Sequence, residues 1–113
     1  MRRKKGELLM LEQQILDAIG DDELHGFSIA ARMRDQHDGK NLAAHGTLYR
    51  ALGRLEAMGL LQSRWEEPQT PARESRPARR LYALTATGEA AAHAARKNAE
   101  AIPRRMRRRW APA

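Results

Sequence analysis

Between Gly46 and Glu66 the spacing of apolar residues changes period once, and that change limits the folds open to the chain. On a helical wheel turning about 100° per residue, Leu48, Ala51, Leu52, Leu55 and Met58 share one sector. Gly46, Thr47, Arg50, Gly53, Arg54 and Ala57 take the opposite side, with Tyr49 on the shoulder. Gly59 follows where a left-handed C-terminal cap is usual. Then Leu61, Ser63 and Trp65 alternate with Gln62, Arg64 and Glu66, which is the period of a strand. The helix therefore has a greasy inner face, and its outer face is basic, carries hydroxyls and has little bulk. A helix that is to lie in a groove needs that combination.

The flanking segments extend the pattern. Leu8, Leu11, Ile15 and Ile19, widened by Leu9 and Leu16, predict a first helix over residues 7–19 that Gly20 and Asp21-Asp22 stop. A second helix is expected from about Gly26 to Gln36, burying Phe27, Ile29, Ala30 and Met33, with Asp38-Gly39-Lys40-Asn41 as a turn. After the first strand, prolines at 68, 71 and 77 mark a loop, and Arg80–Leu84 is extended again, so the two strands make a β-hairpin with a large basic tip. Thr85 suits an N-cap for an alanine-rich helix running toward Trp110. In it Gly88, Ala92, Ala95, Ala99, Ile102 and Met106 keep a 3/4 spacing that resembles a packing seam. Pro103 interrupts it, and an interior proline costs about 3 kcal/mol, so a kink or a second short helix is expected there. The expected fold is mainly α with a small β-hairpin: a winged helix-turn-helix over residues 1–85, then a long C-terminal helix and basic tail over 86–113.

The 113 residues suit one modest core, and a net charge of +7 points to anionic partners such as phosphate backbones. No cysteine is present, which removes disulfides, thiolate nucleophiles and thiolate metal sites. The basic opening Met1–Lys5 is not followed by an apolar run, because Glu12, Gln13, Gln14 and Asp17 interrupt Leu8–Ile19. Neither a signal peptide nor a membrane span is expected, and the chain reads as soluble and cytoplasmic. The four histidines, His25, His37, His45 and His93, lack the i, i+4 spacing of a helical metal site, so no metal or cofactor is expected. There is no Ser/His/Asp set of recognisable spacing, no glycine-rich phosphate loop and no carboxylate pair in an apolar context, so an enzyme is not expected.

Three segments carry a family resemblance. Gly46-Thr47-Leu48-Tyr49-Arg50-Ala51-Leu52, with Arg54-Leu55-Glu56 and Gly59-Leu60-Leu61, resembles the recognition-helix signature of PadR-type regulators. His25-Gly26-Phe27-Ser28-Ile29-Ala30 is similar to that family's His-Gly-Tyr-x-Ile start of the second helix. Arg79-Arg80-Leu81-Tyr82-Ala83-Leu84-Thr85-x-x-Gly88 resembles its exit from the wing strand. The likeness spans about residues 7–90 and is nearest the short branch with one C-terminal dimerisation helix; the Pro/Arg-rich wing tip, Pro103 and the tail Arg104–Arg109 depart from the pattern. It implies a homodimer that binds a pseudo-palindromic operator on double-stranded DNA, usually as a repressor.

On that reading Thr47 and Arg50 reach base edges in the major groove, and His45, Tyr49 and Arg54 touch phosphates and set register. Arg73, Arg76 and Arg79 enter or flank the minor groove from the wing, and Arg2, Arg3, Lys4 and Lys5 add non-specific attraction. Ala92, Ala95, Ala99, Ile102 and Met106 form the dimer seam, where a cavity for a small hydrophobic effector could open, with Trp65 and Trp110 as candidate packing residues. The competing expectation is a non-specific architectural nucleic-acid-binding protein, which the charge alone fits equally well.

Overall fold

The computed structural model describes residues 8–36 and 44–101, and side chains as far as Lys97. The elements run α1 (Met10–Ile19), β1 (Leu24–His25), α2 (Gly26–Gln36), α3 (His45–Ala57), β2 (Leu61–Trp65), α4 (Gln69–Arg73), β3 (Arg80–Leu84) and α5 (Ala86–Ala101). The expected class holds: a mostly helical chain with a small antiparallel sheet. The turn read at 38–41, Pro103 and the basic runs at either end lie outside the described residues.

The core forms where the apolar stripes of the first three helices face one another. Ile15, Leu16 and Ile19 of α1, Ile29 and Met33 of α2, and Leu48, Ala51, Leu52 and Leu55 of α3 are all buried, joined by Leu60, Leu61, Tyr82 and Ala92. Side chains of this size contribute roughly 1.5–3 kcal/mol each when fully buried. Three residues of the expected apolar stripes are not inside: Phe27 is 63 % exposed, Leu9, the N-cap of α1, 45 %, and Met58 41 %. Phe27 lies about 100° round the helix from Gly26, off the stripe that Ile29 and Met33 define. Met58 is already the C-cap of α3, where the helical phase ends.

The C-terminus of α3 is closed by a Schellman arrangement. Leu60 N–H donates to the Leu55 carbonyl (2.9 Å) and Gly59 N–H to that of Glu56 (3.0 Å), with Gly59 at φ 77°, which glycine adopts without a Cβ penalty. The chain then enters β2 directly. Strand β3 pairs antiparallel with β2, from Leu61 opposite Leu84 to Trp65 opposite Arg80. On its other edge it takes the two-residue β1, Leu24 opposite Tyr82 and His25 opposite Leu81. The expected hairpin is therefore the larger part of a three-stranded sheet, in the order β1-β3-β2. The wing tip, expected as loop throughout, contains the single turn α4, and Pro71 there is buried.

Helix α5 begins against the α3–β2 junction. Thr85 is its N-cap: Gly88 N–H donates to Thr85 Oγ1 (3.0 Å), and that hydroxyl donates to the Gly59 carbonyl (2.6 Å). Thr85 N–H reaches the Leu60 carbonyl at 3.1 Å. Gly88 packs so closely on Leu60 that a Cβ would stand 2.0 Å from that carbonyl oxygen, and the obstacle is backbone. Gly88→Ala should therefore destabilise the protein by about 1–3 kcal/mol despite alanine's better helix propensity, read as a fall in the urea midpoint. An unchanged or raised midpoint would mean that α5 does not start here.

Candidate nucleic-acid interface

Helix α3 presents its outer face as the sequence predicts. His45, Arg50, Gly53 and Arg54 are exposed, Tyr49 is 44 % exposed and Thr47 half-buried. Arg50 Nη2 donates to Thr47 Oγ1 at 3.3 Å, one turn back, so the two proposed base-reading side chains already touch. At Gly53 nothing lies within 4 Å of where a Cβ would stand. The protein's own packing gives no reason for that glycine, which costs an exposed helix about 0.8–1.0 kcal/mol relative to alanine.

Beside α3 lies an open groove of about 560 Å³ between the start of α2 and the wing. Its lining includes Phe27, Tyr49, Trp65, Arg79 and Arg80, with the largely buried Tyr82 among them. Three of the large apolar side chains exposed in the described chain, Phe27, Tyr49 and Trp65, thus share one depression. Phe27 makes edge contacts with His45 (centroids 5.3 Å apart) and His25 (6.5 Å), which joins the first turns of α2 and α3. The Arg80 guanidinium lies over the Trp65 ring, 5.6 Å from its centroid, and Arg80 Nε donates to Ser63 Oγ at 2.9 Å. Phe27, His25 and Arg80 are absent from the DNA contacts expected from sequence, and Trp65, expected as a packing residue in connection with an effector cavity, lines this groove instead. Only for Phe27 did a sequence signal exist, its phase off the apolar stripe of α2.

The arginines expected to contact DNA have different fates. Arg76 turns inward, pairing with the carboxylates of Glu66 and Glu74, and both Arg76 and Glu66 are largely buried. That guanidinium holds the Glu66 carboxyl below the usual carboxylate range. Arg54 Nε donates to Glu12 Oε2 at 3.2 Å. Arg64 pairs with Glu23, Arg32 with Asp22, Arg80 with Glu56 and Arg96 with Asp17. Of the arginines expected to contact DNA, Arg50, Arg73 and Arg79 have no carboxylate partner among the described residues, and neither does Arg34 in the last turn of α2. Arg73 stands exposed on α4, outside the groove lining, and Arg79 stands at the base of the wing. Of the expected seam, Ala92 is 2 % exposed and belongs to the chain's own core, and Ala95 is half-buried. The side chains of Ala99, Ile102 and Met106 lie outside the described residues. No group of three histidines and carboxylates among the described residues could hold a metal ion. No helix among them is long and apolar enough to cross a membrane.

His25 couples the wing to α2. Its Nε2 lies 3.0 Å from Ser28 Oγ and 3.2 Å from Arg79 Nη1, and Ser28 N–H points at Nδ1 from 3.4 Å. A neutral imidazole has one accepting nitrogen, so it takes either the Ser28 N–H at Nδ1 or Arg79 at Nε2; a second proton removes both options and sets the imidazolium against the Arg79 charge. Burial, then the charges of Arg79 and Arg76, hold the imidazole pKa below its ordinary 6.5. As pH falls below that value the unfolded chain binds the proton first, so stability declines until the lower folded pKa is passed and then levels. Melting temperatures recorded from about pH 8 down to about pH 5 should fall, and His25→Asn should flatten part of the decline. Superimposable profiles for the two proteins would remove His25 from this role.

The profile of the Transcriptional regulator PadR-like family matches residues 15–94. No curated protein matches the sequence at a significant level. Among solved structures, the fold is similar to a PadR family transcription regulator from hypervirulent Clostridium difficile R20291, at 21 % identity and a TM-score of 0.73 over 88 % of this chain and 96 % of that one. A transcriptional regulator from Clostridium thermocellum aligns over 90 % of both chains, at 20 % identity and a TM-score of 0.71. Bacillus subtilis PadR, solved in complex with operator DNA, aligns at 23 % identity and a TM-score of 0.63 over 77 % of this chain, which spans 46 % of that longer protein. With more than half of its length matched, and three motifs falling on the second helix, the third helix and the wing exit, the chain belongs to the PadR-like family of transcriptional regulators.

Proposed function

We propose that this protein is a sequence-specific DNA-binding regulator acting as a homodimeric repressor on a pseudo-palindromic operator, in the cytoplasm, with no catalytic activity. The observation that carries the reading is the outer face of α3. Gly46, Arg50, Gly53 and Ala57, at i, i+4, i+7 and i+11, make one exposed stripe of minimal bulk around a guanidinium that no carboxylate among the described residues neutralises. A major groove accepts such a helix closely, and an arginine can then bond a guanine edge in bidentate fashion. That Bacillus subtilis PadR was solved with operator DNA supports transferring the mode of action to this chain.

Within the reading, Thr47 and Arg50 reach bases, while His45, Tyr49 and the aromatic groove with Arg79 lie along the sugar-phosphate backbone. Arg73 approaches DNA from the wing tip. Arg76 is reassigned to holding the wing together. The dimer seam runs C-terminal to Ala92, through Ala95 and Ala99 toward Ile102 and Met106, and a small hydrophobic effector would act by entering it. Two-fold symmetry places the recognition helices about 34 Å apart, one turn of DNA.

The deciding measurement is fluorescence anisotropy against a duplex from upstream of the protein's own gene and a scrambled duplex, over a range of salt. A preference of about 10³-fold or more is expected. Equal binding that collapses steeply with salt, on this duplex and on ones selected from random DNA, would favour the architectural alternative that the net charge of +7 suggests. Two substitutions probe the face directly. Arg50→Ala should cost the operator complex about 1–3 kcal/mol and spare scrambled DNA; equal losses would make Arg50 a phosphate contact. Gly53→Ala should stabilise the free protein by roughly 0.5–1 kcal/mol while weakening operator binding. If it stabilises the protein and leaves affinity unchanged, that surface does not approach the bases.

A further inference from the structure

We propose that Glu12, on the far side of α3 from the bases, is a positioning residue: its buried carboxylate grips the inner edge of the Arg54 guanidinium and leaves the outer edge directed at a backbone phosphate. The inference rests on the reading that α3 lies against DNA. Glu12 is 0 % exposed, in the first turn of α1. Its Oε1 accepts the Leu9 N–H at 3.1 Å and its Oε2 accepts Arg54 Nε at 3.2 Å. A carboxylate placed there without donors would carry a large desolvation cost, so these bonds constrain both partners. The Arg54 side chain is nonetheless 43 % exposed.

A guanidinium is a rigid plane with five donors on its edges. Engaging Nε fixes that plane and leaves the terminal nitrogens to project outward. Arg54 stands one helical turn beyond Arg50, and i, i+4 side chains are neighbours on a helix surface. Its outward edge is therefore next to the proposed base contact, where the strand flanking that base would pass. A free arginine would give up considerable rotamer freedom on meeting a phosphate, and one held by Glu12 has already lost most of it. The pair joins residues 42 positions apart, so the orientation of the contact is set by α1 as well as by α3.

The test is a double-mutant cycle read in DNA binding. Wild type, Glu12→Gln, Arg54→Ala and the double variant are titrated against the operator duplex across a salt series, at a temperature where circular dichroism shows each folded. Arg54→Ala should reduce the slope of log K against log salt by about 1. Glu12→Gln should shift binding in the same direction, and the double variant should bind within about twofold of Arg54→Ala. Effects of the two single substitutions that multiply in the double variant would overturn the proposal. Arg54→Lys keeps the charge but not the fork, so it should bind more weakly than wild type; wild-type binding overturns the proposal even if Glu12→Gln does not fold. A wild-type protein that binds operator and scrambled duplexes alike contradicts the sequence-reading function, but the cycle still decides on either duplex, because phosphates are common to both.

Discussion

At Leu60 four elements meet within a few bonds. Its N–H closes the end of α3, its side chain enters the core, its carbonyl accepts the Thr85 N–H that ends β3, and the missing Cβ of Gly88 lets α5 rest on that same oxygen. The register of β2 against β3 starts one residue later, with Leu61 opposite Leu84. The recognition helix, the wing and the C-terminal helix therefore share one anchor made almost wholly of backbone. Because packed backbone deforms little, the angle between α3 and the wing is a property of this joint. The two surfaces that would meet DNA arrive already oriented.

The joint was legible in the sequence because its chemistry is local. Gly59 and Thr85 are capping residues at the positions where the apolar period changes, and they cap as read. The core stripe of α3 followed from spacing alone, since Leu48, Ala51, Leu52 and Leu55 all lie inside. The misses are contacts with no local signature. Strand β1 has two residues and exists only because β3 offers an edge. Glu12 resembles any polar residue interrupting an apolar run, and its burial depends on an arginine on another helix. Arg76 and Arg79 are three positions apart and of one residue type, yet one is locked between two glutamates and the other faces His25. Periodicity ranks faces, and it does not say which of several like charges finds a carboxylate.

That sorting of charge bears on function more than the total does. Most arginines of the described chain are paired with an acid that ties two elements together: α1 to α3 through Glu12, α1 to α5 through Asp17, β1's approach to β2 through Glu23. The exposed pairs among them, Arg64 with Glu23 and Arg96 with Asp17, contribute little stability, about 0–1 kcal/mol each. The larger effect of the pairing, Arg54 with its open outer edge excepted, is to withdraw those guanidinia from competition for anions. Among the described residues Arg50, Arg73 and Arg79 stand outside this pairing, on α3, the wing tip and the neck of the wing, as does Arg34 at the end of α2. A basic chain thereby acquires a directional surface rather than a uniform positive coat.

The grip of Arg76 on Glu66 has a separate consequence. The carboxylate also accepts the Arg79 N–H at 2.9 Å, and Glu66 N–H returns a bond of 2.9 Å to the Arg79 carbonyl. The hairpin is thus sealed at its neck, and residues 67–75 form a loop outside the seal. Loop closure entropy grows only slowly with length, so extra residues there would leave the sheet below nearly unperturbed. Extra length, or a grafted peptide tag or probe, within residues 67–75 would therefore alter the α4 turn and leave the sheet and helices α1, α2, α3 and α5 as they are.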